Sequence, residues 1–95
     1  MKIIIVGIGK VGSTLANFFS REGHDVTVID KNQKLINDVV NKYDVMGIAG
    51  NGVSVEILEE ADIKNTDILI ASASTDETNM LVCVLANKMG VKNTI

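Results

Sequence analysis

Short apolar runs alternate along the chain with segments whose apolar residues recur at helical spacing. Four of the runs are rich in β-branched residues and have polar residues at or just before their starts. Such runs predict short strands that are buried on both faces of a parallel sheet. The predicted strands are Lys2–Gly7, Asp25–Asp30, Asp44–Gly50 and Asp67–Ser72, and the closing VKNTI indicates the start of a fifth.

Helical spacing fills the intervals between these strands. Gly23 stands where the C-terminal cap of the first helix belongs. We predict that a fourth helix begins at Ser74, whose hydroxyl forms a capping box with Glu77, and that it ends before Gly90. The apolar stripes that predict the first three helices are Val11, Leu15, Phe18 and Phe19; Leu35, Ile36, Val39, Val40 and Tyr43; and Val55, Leu58 and Ala61.

The alternation of strand and helix with short connections is typical of βαβ units. It predicts an α/β fold, a Rossmann-like doubly wound parallel sheet with strand order 3-2-1-4-5. We expect residues 1–95 to form a single nucleotide-binding domain. Because the chain stops where the fifth strand has barely begun, we also expect the fold to be truncated at its C-terminal end.

A glycine motif follows the first strand and leads into the first helix. In G-x-G-x-x-G, Gly7 makes a tight turn, Gly9 lets the backbone approach a pyrophosphate, and Gly12 lets the helix pack against the strand. The helix N-terminus then faces the phosphates. Lys10 is either a positive charge that reaches a phosphate or a solvated surface lysine. The residues predicted to surround the phosphates are Gly7, Ile8, Gly9, Lys10, Val11 and Gly12.

Asp30 ends the second strand and is the carboxylate expected to accept hydrogen bonds from a ribose diol, with Lys31 beside it. A carboxylate at this position repels a 2′-phosphate, so NADP is not expected as the ligand. The ribose diol is common to NAD(H), ATP, ADP and AMP, and Asp30 does not choose among them.

Composition and charge exclude several other classes of function. The net charge of -3, without a basic patch, argues against binding to nucleic acid or to an anionic membrane surface. The apolar runs are too short to span a bilayer, and a lone Cys83 fits a reducing cytoplasm. Neither His24, Tyr43 nor Cys83 stands in a pattern that predicts catalysis or metal binding.

The residues from Gly50 onward carry further motifs, G-N-G, L-x-x-A and T-D-E-T-N-M. Together with GIGKVG and VTVID, they resemble the RCK or KTN domain, the regulatory nucleotide-binding domain of Trk-type potassium uptake systems and ligand-gated potassium channels. The resemblance covers essentially all 95 residues. It implies that the loop of Gly50, Asn51 and Gly52 lies beside the adenine and that the group Ser72, Ala73 and Ser74 lies near the phosphates or a second nucleoside. It also implies that Asp76, Glu77 and Asn79 lie near the far end of the ligand, and the alternative role of Asp76 and Glu77 is to cap the helix and complement its dipole.

The resemblance implies a non-catalytic regulator that binds NAD(H) or an adenine nucleotide and biases potassium transport. Its implied partners are a membrane potassium transporter subunit or channel pore and a second copy of the chain, in a homodimer or larger ring at the inner face of the membrane. The alternative is the cofactor-binding part of an NAD-dependent oxidoreductase, since the glycine motif alone does not fix function. One departure is Ala61-Asp62-Ile63, where the family often has glycine at the middle position, so the turn lacks the residue that adopts positive φ freely.

Overall fold

A computed structural model describes residues 1–95, with strands and helices in alternation. The strands are β1 (Lys2–Val6), β2 (Asp25–Asp30), β3 (Met46–Ala49), β4 (Ile68–Ala71) and β5 (Asn93–Thr94). The helices are α1 (Lys10–Arg21), α2 (Gln33–Lys42), α3 (Val55–Glu60) and α4 (Asp76–Lys88), with one 3-10 turn at Ile63–Asn65.

The five strands form one parallel sheet in the order β3-β2-β1-β4-β5. This arrangement confirms the predicted Rossmann-like order 3-2-1-4-5. At the centre of the sheet, Ile5 lies opposite Val28 of β2 and Ile70 of β4. Because all strands run in one direction, their carboxyl ends meet at a single edge, where open α/β sheets bind ligands.

Two hydrophobic clusters cover the two faces of the sheet. Ile3 and Ile5 of β1 belong to the cluster that packs under α1 and α2. Ile4 and Val6 belong to the cluster that packs under α3 and α4. Since successive strand residues point to opposite faces, a central strand must be apolar at every position.

The predicted stripe of α1 is wrong at two positions. Val11 and Phe18 are 64% and 57% exposed, whereas Gly12 and Ala16 are the buried residues of the helix. Gly12 and Ala16 are small and one helical turn apart, so they let the helix backbone approach the sheet closely. The larger side chains at Val11 and Phe18 therefore project away from that contact.

The predicted capping box of α4 is also wrong. The N-cap is Thr75, whose hydroxyl oxygen accepts a hydrogen bond from the Thr78 backbone N–H, at 3.3 Å. With the helix beginning one residue later, Glu77 stands at the second helical position and not at the third, where a capping-box carboxylate belongs. The helix therefore begins one residue after the predicted position.

In the turn after α3, an aspartate takes the position where the family often has glycine. Asp62 adopts the left-handed conformation, with φ 63° and ψ 47°. Asp and Asn enter this region more readily than other non-glycine residues because their short polar side chains bond locally. Here Asp62 Oδ1 accepts a hydrogen bond from the Asn65 side-chain amide, at 2.8 Å.

Candidate nucleotide-binding site

The glycine loop leaves the carboxyl end of β1 and opens α1. Gly7 has φ +92°, and a Cβ there would lie 2.5 Å from the backbone nitrogen of Ala73. The Gly7 N–H donates to the carbonyl oxygen of Ile29, at 2.8 Å. Glycine is required at this position both by the backbone conformation and by the closeness of the loop after β4.

The N-terminus of α1 differs from those of the other three helices. Asn32, Ser54 and Thr75 cap α2, α3 and α4 with side-chain oxygens. Gly9 is the N-cap of α1, supplies no side-chain cap, and is followed by no acidic residue in the first turn. The first N–H groups of α1 are therefore left for an external acceptor, and with the helix dipole they favour an anion.

Asp30 fastens the glycine loop to the start of α2. One carboxylate oxygen accepts from the Ile8 N–H at 2.9 Å, and the other accepts from the Asn32 N–H at 2.9 Å. The side chain is half-buried at the carboxyl end of β2. A carboxylate has about four lone-pair positions, so these two bonds leave acceptor capacity for a ribose hydroxyl.

The loop after β3 forms a second wall. Asn51 is exposed, and its side-chain oxygen accepts from the Val53 N–H at 3.0 Å. The side-chain NH2 of Asn51 is then the donor that can face a base edge. Gly52 is buried, and a Cβ there would lie 2.4 Å from Cγ1 of Val6, which fixes the loop against the end of β1.

The loop after β4 forms the third wall and is bonded to the glycine loop. The Ser72 hydroxyl donates to the Gly7 carbonyl oxygen, at 2.6 Å. The Asn79 side chain reaches back from α4, accepting from the Ala73 N–H at 2.8 Å and donating to the Ala73 carbonyl oxygen at 3.2 Å. Ser72 and Asn79 thus hold the backbone of two cleft loops in place.

The three loops enclose a cleft of about 620 Å³, within the usual size range of ligand pockets. Its ionisable side chains are Lys10, Asp30 and Lys31. Of the residues predicted from the sequence, the following lie in its wall: Gly7, Gly9, Lys10, Val11, Asp30, Lys31, Gly50, Asn51, Gly52, Ser72, Ala73 and Ser74.

Five predicted residues lie outside the cleft wall. Ile8 and Gly12 belong to the glycine motif but are buried, and Asn79 is half-buried beneath the β4–α4 loop. Asp76 and Glu77 are exposed in the first turn of α4, where they complement the positive end of its dipole.

Six residues of the wall were not predicted, namely Val6, Ile29, Asn32, Leu35, Thr75 and Thr78. Asn32 could have been found, because an Asn between a strand and an apolar helical stripe is a typical N-cap and therefore lies at the cleft edge.

A model of the TrkA-N domain family matches residues 3–95 of this chain. The chain belongs to the TrkA-N family. It is 39% identical, over all of its 95 residues, to the Trk system potassium uptake protein TrkA homolog of Methanothermobacter thermautotrophicus. It is 41% identical over 86 residues to the Trk system potassium uptake protein TrkA of Vibrio alginolyticus. The chain spans 44% and 19% of the lengths of these two relatives.

The TrkA-N fold is also found in solved structures of low sequence identity. The AMP-bound Kef CTD of Shewanella denitrificans matches the whole chain with a TM-score of 0.85 and 20% identity, over 57% of its own length. At that identity the likeness establishes the fold alone. No helix of the present chain has both the length and the apolar character that crossing a membrane requires.

Proposed function

We propose that this TrkA-N chain is a regulatory nucleotide-binding domain of a potassium uptake system. The observation that carries the nucleotide part is the uncapped N-terminus of α1, which opens into the same cleft as the Asp30 carboxylate. An unpaired helix N-terminus favours a phosphate, and a carboxylate at the end of the second strand favours a ribose diol. The family membership and the Trk relatives support the potassium part.

The proposed ligand lies across the carboxyl edge of the sheet. Its adenine lies beside Asn51 and Gly52, its ribose beside Asp30, and its first phosphates at Gly9 and Lys10. A ligand with a second nucleoside extends toward the loop after β4, because β4 lies on the side of β1 opposite β2 and β3.

The candidate ligands are NAD(H), ATP, ADP and AMP, since all carry an adenosine ribose diol and a phosphate. The AMP-bound state of the structurally similar Kef CTD supports an adenine nucleotide as the ligand. NADP is disfavoured, because Asp30 would face its 2′-phosphate with a like charge. Lys31 is exposed next to Asp30 and is expected to approach the phosphates or the ribose edge from the solvent side.

Regulation requires that the ligand binds two arrangements of the protein with different affinities. We propose that the partner is a membrane potassium transporter subunit or channel pore, and that the domain works without catalysis at the cytoplasmic face of the membrane.

A second copy of the chain is the expected further partner, in a homodimer or ring. The exposed apolar residues Met80, Leu81 and Val84 of α4 support self-association, because such side chains on one helix face are stabilised when covered.

The test is calorimetric titration of ligand-free protein with AMP, ADP, ATP, NADH and NADPH. Binding of the first four in preference to NADPH is expected. The oxidoreductase alternative predicts in addition that NADH is consumed when candidate carbonyl substrates are supplied, which absorbance at the NADH band measures. Steady turnover would refute the regulatory proposal, and absence of binding by every nucleotide would refute the assignment of the cleft.

A further inference from the structure

The side-chain amide of Asn79 makes two hydrogen bonds to one residue of the loop after β4. The side-chain oxygen accepts from the Ala73 N–H at 2.8 Å, and the side-chain nitrogen donates to the Ala73 carbonyl oxygen at 3.2 Å. Asn79 itself is half-buried in the first turns of α4 and does not line the cleft, whereas Ala73 does. The side chain therefore acts on the cleft through the backbone of Ala73.

Ala73 is the residue at which the chain leaves the sheet. Ala71 N–H still donates to the carbonyl oxygen of Ile95, and Ser72 N–H donates to that of Val6, at 2.7 and 2.8 Å. Ala73 has no neighbouring strand to supply the next pair of partners. Backbone N–H and C=O groups that are withdrawn from water need partners, and the Asn79 amide supplies both a donor and an acceptor in the manner of a peptide group.

The position of Ala73 matters because it lies directly against the glycine loop. The site of a Cβ on Gly7 is 2.5 Å from the Ala73 nitrogen and 2.6 Å from the Ala73 Cα. The two loops therefore have no space between them at this point. Fixing Ala73 fixes the far wall of the cleft relative to the phosphate region.

We infer that Asn79 is a positioning residue that sets the β4–α4 loop for the distal part of a dinucleotide, and that it is not itself a ligand contact. The inference rests on the proposed function in one respect, the placement of the second nucleoside beside Ser72, Ala73 and Ser74. In that placement the phosphate of AMP lies at Gly9 and Lys10, whereas the second nucleoside of NADH is the part that extends over Ser72, Ala73 and Ser74. Loss of the Asn79 amide should consequently weaken NADH binding and spare AMP binding.

The test uses Asn79→Ala, Asn79→Asp and a matched control, Asn87→Ala. Asn87 is exposed on the same helix and its side chain makes no bond to the loop. Asn79→Asp keeps an acceptor for the Ala73 N–H and lacks the donor to the Ala73 carbonyl, so its effect should fall between wild type and Asn79→Ala. Two quantities are measured, the hydrogen exchange of the Ala73 amide in the ligand-free chain and the affinities for AMP and NADH.

In Asn79→Ala we expect Ala73 exchange to accelerate about tenfold, as loss of one hydrogen bond of ordinary strength would cause. NADH affinity should fall by a similar factor while AMP affinity changes less than about twofold, and Asn87→Ala should behave as wild type. Unchanged Ala73 exchange with weaker NADH binding would make Asn79 a direct contact and overturn the inference. Equal losses for AMP and NADH would also overturn it.

Failure of the proposed function gives a different pattern. If the wild-type chain binds neither AMP nor NADH, the nucleotide assignment is wrong, while Ala73 exchange still decides whether Asn79 holds the loop. If Asn79→Ala does not fold, exchange of the central strand amides such as Ile5 will show it, and Asn79→Asp then provides both measurements.

Discussion

Substitution of Gly12 by alanine tests whether the glycine loop is held by close packing. A Cβ on Gly12 would lie 2.0 Å from the Gly7 carbonyl oxygen and 2.8 Å from the Ser72 hydroxyl oxygen. Real Cβ contacts do not fall below 3.0 Å, so the loop or the helix must move. The movement displaces the carbonyl that accepts from Ser72 at 2.6 Å.

The expected cost follows from these contacts. Overpacking costs about 1–3 kcal/mol, and loss of the Ser72 hydrogen bond adds about 1 kcal/mol. Replacing glycine by alanine in a helix returns up to about 1 kcal/mol. The net destabilisation is about 1–3 kcal/mol, which lowers the Tm of a chain of this size by roughly 5–20 °C. Urea unfolding followed by circular dichroism measures it as a lower midpoint at an unchanged m-value.

Gly9→Ala is the matched control within the same loop. Gly9 has φ -67°, and nothing lies within 4 Å of a Cβ added there. The variant should retain wild-type stability within about 0.5 kcal/mol. Because Gly9 lies in the cleft wall, the added methyl should nevertheless weaken AMP binding. Wild-type stability of Gly12→Ala, or equal destabilisation of Gly9→Ala, would refute the packing argument.

Three further substitutions test separate parts of the structure. Asp30→Ala should weaken AMP and NADH binding about tenfold and raise the NADPH-to-NADH affinity ratio in calorimetry; unchanged affinities would remove Asp30 from the site. Leu81→Glu should shift a self-associating chain toward monomer in sedimentation velocity, with Asn87→Glu as the control, and a monomeric wild type would count against the α4 surface. Asp62→Val should lower the free energy of unfolding by about 1–2 kcal/mol, measured by urea denaturation, whereas Asp62→Gly should be at least as stable as wild type. Equal stability of the two variants would contradict a strained turn.

Periodicity predicted the alternation of strands and helices, and glycine spacing predicted the loop after β1, since both are local features; the sheet order is the one typical of the Rossmann-like folds that this alternation indicates. β1 is apolar at each position from Ile3 to Val6 because each of its faces meets a different core cluster. The stripe of α1 was predicted less well. Hydrophobicity alone selects Val11 and Phe18, but the sheet approaches the helix where Gly12 and Ala16 leave room for it. Close approach depends on the size of side chains on both elements, which a one-dimensional pattern does not contain.

The candidate site shows the same limit in its polar residues. Asp30, Ser72 and Asn79 are predicted to lie at the ligand, and each of them also bonds to backbone. Their spacing in the sequence indicates where they lie, at the ends of strands or the start of a helix, but not which orphaned N–H or C=O group each will meet.

This double use of side chains decides how mutations in the cleft should be interpreted. Where strands end, backbone groups lose their sheet partners, so side chains placed to meet a ligand are also the nearest groups that can satisfy the loops. Asp30→Ala removes an acceptor from the ribose, and it also releases the Ile8 N–H that the carboxylate holds. Loss of affinity in that variant therefore measures contact and loop order together. Only Ile8 amide exchange, measured before ligand is added, separates the two contributions.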